Sequence, residues 1–105
     1  GLGGLGGEWE WWTEEEHMRA LEAAAKSPHD WGMISARVGS KTPQQCQQHV
    51  VNYQFALSQV QGLARQLGAQ EVPWLSLGDM YTALGVGPAW NDHQARMQSA
   101  GRLSQ

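Results

Sequence analysis

Hydrophobic and polar positions follow a helical period in three successive stretches, each opened by a capping residue. Thr13 stands as an N-cap, with Glu16 completing a capping box and Glu14 and Glu15 set against the positive end of the helix dipole. A first helix is expected to run to about Lys26, with Met18, Leu21, Ala24 and Ala25 inward and Glu14, Glu15, Arg19, Glu22 and Lys26 in water. Ser27-Pro28-His29-Asp30 breaks the pattern. Asp30 then caps a short second helix that turns Trp31, Ile34 and Val38 inward and stops at Gly39. Thr42 caps a third helix with Pro43 at its first position, where a missing N–H costs nothing, and Gln45 completes a second capping box.

The third stretch places Cys46, Val50, Tyr53, Leu57 and Val60 at helical spacing towards Leu67, with Gly62 as a candidate interruption and Gly68 as the stop. Two helices joined across Gly39 to Lys41 make a helix-turn-helix. Beyond Gly68, Ser76 and Asp79 open a short helix ending at Gly85, and a weak last helix is expected from Ala89 to Ala100 after the break at Val86-Gly87-Pro88. No stretch alternates as a strand does. The expected fold is all-α: a three-helix bundle over 8–68 and a short helical C-terminal extension over 69–105. Residues 1–7, glycine and leucine only, read as a flexible linker or an expression remnant.

Composition changes this picture little. A chain of 105 residues has room for one domain with a short appendage. A net charge of −3 argues against a tail that coats nucleic acid by bulk electrostatics. A single cysteine, Cys46, excludes an internal disulfide and suits a reducing compartment. No apolar stretch is long enough to span a membrane, so no membrane partner is expected.

Candidate chemistry is sparse. Gly1-Leu2-Gly3-Gly4-Leu5-Gly6 matches a dinucleotide fingerprint in letters but lacks the strand before it and the βαβ unit around it. Cys46 and His49 lie three apart on one helix, yet a structural zinc site needs four ligands and no second pair is suitably spaced. His17, His29 and His93 are scattered. No nucleophile elbow, P-loop or paired carboxylates in a cleft appear, so neither an enzyme nor a small-molecule substrate is expected, and no metal or cofactor. The extension, with Val72, Trp74, Leu75, Leu77, Met80, Tyr81, Leu84 and Trp90, is too apolar for a linker. It is expected to fold back over the third helix, with Trp74→Ala as the test.

Trp12-Thr13-Glu14-Glu15-Glu16, Leu21, Ala24, Asp30-Trp31, Ile34 and the run from Val38 to Cys46 resemble the SANT/Myb-like family, over about Trp12 to Tyr53. That family builds its core from three regularly spaced aromatics, one per helix. Here Val50 stands at the third aromatic position, with Tyr53 one turn later as a substitute filler and an aromatic of the extension as a second. The ending Val50-Val51-Asn52-Tyr53 is similar to SANT modules of chromatin corepressor complexes.

The resemblance implies one of two functions. A Myb-like domain binds DNA through its third helix, and the positions used for base contact correspond to Gln47, Gln48 and Val51, with His49 and Asn52 beside them and Lys41 and Arg37 as candidate phosphate contacts. That helix has no cation before Arg65, and glutamine and asparagine neutralise no phosphate. The first helix is acidic instead. The sequence therefore favours a non-catalytic, nuclear interaction module that offers Glu14, Glu15 and Glu22 to a histone tail or a subunit of a chromatin complex. DNA binding through Lys41, Gln47, Gln48, His49 and Asn52 is the alternative.

Overall fold

The computed structural model describes residues 10–103, with side chains to Gln98; residues 1–7 and Trp9 lie outside the described residues. Five helices follow one another: α1 (Glu14–Lys26), α2 (Trp31–Val38), α3 (Pro43–Gln66), α4 (Leu77–Ala83) and α5 (Gly87–Leu103). There is no strand among the described residues. The expected all-α helix-turn-helix architecture is the one observed.

Local chemistry sets the helix starts. Thr13 and Thr42 each accept from the backbone N–H three residues on, while Glu16 and Gln45 reach back to the cap N–H. Asp30 and Ser76 cap α2 and α4 through the N–H groups of Met33 and Asp79. α2 ends on Gly39, whose φ of +84° is left-handed, so an L side chain there would be strained. The α2–α3 turn is then fastened to α1, because the Ser40 hydroxyl donates to Glu16. Burial alone would raise the Glu16 pKa, but hydrogen bonds from Ser40 and Thr13 and the charge of Lys41 outweigh it and hold the carboxyl below its ordinary value.

α1 packs on a different face from the expected one. Its buried residues are His17, Ala20 and Ala23; Leu21 and Ala24 only flank the core, and Met18 and Ala25 are exposed. The helix is rotated by part of a turn because His17, polar by residue type, finds partners for both ring nitrogens inside the protein. α2 buries Ile34 and Val38 as expected, with Trp31 packed at the margin. α3 passes through Gly62 without interruption and stops one residue short of Leu67, its C-cap.

The extension folds back and joins the same core as the helix-turn-helix. Leu75, Leu77, Met80, Tyr81 and Trp90 cluster with Trp12, Ile34, Cys46 and Tyr53. Each such side chain contributes on the order of 1.5–3 kcal/mol by leaving water. Polar groups set the register. The Leu75 N–H donates to the Tyr53 hydroxyl at 3.0 Å, and the Val72 N–H donates to Gln61 Oε1 at 2.9 Å while the Gln61 amide donates back to the Val72 carbonyl. The Trp12 N–H donates to the Tyr81 hydroxyl at 3.1 Å, and Trp11 packs edge-on against the same ring.

Trp74 is not the residue that seals this contact. It is 46% exposed and borders a shallow groove with Met18, Leu21, Val50 and Tyr53. The missing family aromatic at Val50 is made up by buried Tyr53 and by His49, which stacks on Trp12. Trp74→Ala is therefore expected to cost no more than about 1.5 kcal/mol, well under the roughly 3–5 kcal/mol of a buried aromatic. Urea unfolding of the variant decides this, and a larger loss would mean that Trp74 closes the core.

Candidate nucleic-acid interface

The outward face of α3 is built by what the inward face excludes. Cys46, His49, Val50, Tyr53 and Ala56 are buried, spaced 3, 1, 3 and 3 apart, which is one side of a helix. The opposite side of the first two turns is left to Gln44, Gln47, Gln48 and Val51, all exposed, with Asn52 at the edge. The Gln48 amide donates to Asn52 Oδ1 at 3.0 Å, so these two side chains form an i,i+4 pair on the surface. The patch is uncharged and carries both donors and acceptors.

His49 does not belong to this face. It is 4% exposed, its ring lies 3.8 Å from that of Trp12 at an interplanar angle of 16°, and its Nε2 lies 2.8 Å from His17 Nδ1. His17 Nε2 in turn lies 3.0 Å from the Leu75 carbonyl. A carbonyl only accepts, so His17 carries its proton on Nε2, its Nδ1 accepts, and His49 donates through Nε2–H. Burial pushes the pKa of both rings down. For His49, desolvation comes first, then the charges of His17 and Lys41, and the value falls to about 3; for His17, desolvation outweighs the carbonyl of Leu75 and the charge of Glu14. The expectation that His49 touches DNA is corrected on these grounds.

Lys41 is also partly committed. Its Nζ donates to the Trp11 carbonyl at 3.1 Å and stands 5.3 Å from the centre of the Trp12 ring. Cys46 is fully buried, and burial raises its thiol pKa, which is the setting of a packing residue rather than a nucleophile. Among the described residues no group of three or more metal-ligating side chains converges. No helix among them is long and apolar enough to cross a membrane.

Glu14, Glu15 and Glu22, three of the four acidic residues of α1, do not gather into one acceptor surface. Glu15 pairs with Arg19 at 2.7 Å, and Glu14 accepts from the Leu77 N–H at 3.3 Å. Glu22 borders a cleft that it shares with Arg19, Lys26 and Arg37. A basic peptide laid there would meet three cations.

Residues 11–54 match the family model of the Myb-like DNA-binding domain. This segment is a Myb-like domain. Myb-like protein G of Dictyostelium discoideum is 46% identical over 42 residues, covering 40% of the chain and 10% of that protein. Protein REVEILLE 3 of Arabidopsis thaliana is 48% identical over 42 residues, covering 40% of the chain and 15% of that protein. The chain thus spans a small part of the length of these curated relatives, and what they share with it is the Myb-like segment. No solved structure matches the chain. Leu75, Leu77, Met80, Tyr81 and Trp90, which complete the core, fall outside the matched region.

Proposed function

We propose that the Myb-like domain binds duplex DNA with the first two turns of α3 in the major groove, as a non-catalytic module of a nuclear regulatory protein. The observation that carries this is the uncharged face on the third helix of a helix-turn-helix, with Gln44, Gln47 and Gln48 exposed and half-buried Asn52 at its edge. Glutamine and asparagine amides pair with the N6 and N7 edge of adenine, and Val51 suits a thymine methyl. This reading is preferred to histone docking, because Glu14, Glu15 and Glu22 are bonded or flanked by cations rather than presented together.

Phosphate contacts are few. Arg37, Lys41 and Arg65 are the only cations from α2 to the end of α3, so the salt dependence of log affinity is expected to have a slope no steeper than about −3. An amide-resolved NMR titration with a mixed-sequence duplex at low salt tests the reading. Shifts concentrated at Gln44 to Asn52 and reversed by salt are expected. Shifts spread over α1, or none where non-specific DNA binders respond, would remove it. Gln48→Ala is expected to flatten the preference among duplexes by about 1–3 kcal/mol while leaving mixed-sequence binding nearly unchanged.

A further inference from the structure

The turn into α3 carries a hydroxyl whose proton is given to no protein acceptor. Thr42 Oγ1 accepts from the Gln45 N–H at 3.0 Å, but it donates to nothing among the described residues. The nearby Ser35 and Ser40 hydroxyls are committed as donors, to the Lys41 carbonyl and to Glu16. Ser40, Thr42, Pro43 and Gln44 are exposed, and the Thr42 backbone is extended at φ −76° and ψ 162°. An exposed hydroxyl on extended backbone, with proline next in the chain, is the acceptor that proline-directed protein kinases take. Proline brings no N–H to a substrate cleft that offers none a partner.

The chain has one other pair of this kind, Ser27-Pro28, and it is built differently. Ser27 is half-buried and is the C-cap of α1, so a phosphoryl dianion there would face the negative end of a helix dipole. At Thr42 the dianion would meet the positive end, and its oxygens could accept from the Gln45 N–H in place of the hydroxyl.

We propose that Thr42 is a phosphorylation site, and that its phosphoryl group stops α3 from binding duplex without unfolding the domain. In the transfer, Thr42 Oγ1 attacks the γ-phosphorus of ATP and the new Oγ1–P bond forms as the bond to the bridging oxygen breaks. ADP leaves and the hydroxyl proton is released. The consequence for binding rests on the DNA reading. A recognition helix enters the groove with its N-terminal residues towards the bases, which brings Thr42 to the DNA backbone. From Trp31 to Gln70 the chain holds three cations, Arg37, Lys41 and Arg65, and no acid. A phosphothreonine carries about −2 at neutral pH, so it would leave this stretch with about +1 and set its dianion beside Lys41.

The test treats the 105-residue chain with a proline-directed protein kinase, magnesium and ATP, and reads the modified residue by mass spectrometry. Anisotropy of a labelled mixed-sequence duplex at low salt follows binding. One phosphoryl group is expected, on Thr42 and not on Ser27, with a melting temperature no lower than native and duplex affinity reduced at least about tenfold. Thr42→Asn keeps a good cap, takes no phosphoryl group and is expected to bind as the native chain does. Thr42→Asp keeps the cap, adds one negative charge and is expected to bind more weakly. No modification at Thr42, a lowered melting temperature after it, or an asparagine variant that binds as weakly as the aspartate variant would each overturn the proposal. A native chain that binds no duplex would overturn the DNA reading and the switch together, whereas duplex binding that survives modification would overturn the switch alone.

Discussion

Tyr81→Ala is expected to destabilise the protein by about 3–5 kcal/mol, although Tyr81 lies far outside the Myb-like segment. Its side chain is 1% exposed, its ring meets Trp11 at 5.2 Å and Trp90 at 4.9 Å, and its hydroxyl accepts from the Trp12 N–H. The alanine variant therefore opens a cavity between the extension and the start of α1 and leaves a buried N–H without a partner. A domain of this size has a total stability of the order of 5–15 kcal/mol, so the loss is a large share of it. Tyr81→Phe separates the two effects. It keeps the ring and loses the hydroxyl, and is expected to cost about 1–3 kcal/mol. Urea unfolding of both variants measures the difference. A Tyr81→Ala loss below about 1 kcal/mol would mean that the extension is not part of the cooperative unit.

Why a Myb-like segment of this kind needs such a strap follows from its core. Val50 is smaller than the ring the family places there, and two buried side chains of the bundle, His17 and His49, are polar. Their hydrogen bonds run through the Leu75 carbonyl, and Tyr53 is held by the Leu75 N–H. The peptide groups of one residue in the extension thus satisfy two buried side chains of the helix-turn-helix.

What was legible in the sequence was local. Thr13, Asp30, Thr42 and Ser76 announced their helices because a cap and its partner lie within three residues of each other. The inward face of α1 was not legible, since hydropathy assigns Met18 inward and His17 outward. The groups that reverse this lie far away, 32 residues at His49 and 58 at Leu75. His49 could have been found: it falls on the same helical side as Cys46, Val50 and Tyr53. Its nearness in sequence to the glutamines placed it on the wrong face. The outward set Gln44, Gln47 and Gln48 was readable once the inward side was fixed, whereas the exposure of Phe55, Leu63 and Leu67 on the later turns of α3 was not, because apolar residues at helical spacing are read as core.

Stability is expected to fall by about 2 kcal/mol between pH 7 and pH 5 through His49 alone. The sign follows from the direction of the shift. The folded pKa, about 3, lies below the ordinary value of 6.5, so protons bind the unfolded chain first. The contribution of the neutral ring is therefore complete above about pH 6.5 and is lost as pH falls from there towards 3, with a limiting slope of about 1.4 kcal/mol per pH unit. His17 shifts the same way and adds to the loss. The geometry supplies the reason for both. The 2.8 Å contact between the rings holds one proton, and the Leu75 carbonyl fixes the other, so a further proton on His17 Nδ1 would face the His49 N–H donor to donor. Glu14 favours the charged form of His17, and Lys41 opposes that of His49, so salt is expected to alter the two in opposite directions. Unfolding free energies at pH 7, 6 and 5, for the native chain and for His49→Gln, provide the measurement. The variant is expected to be less stable at pH 7 and to show a shallower slope. Equal stability of the native chain at pH 7 and pH 5 would mean that the pair is not buried as two neutral rings.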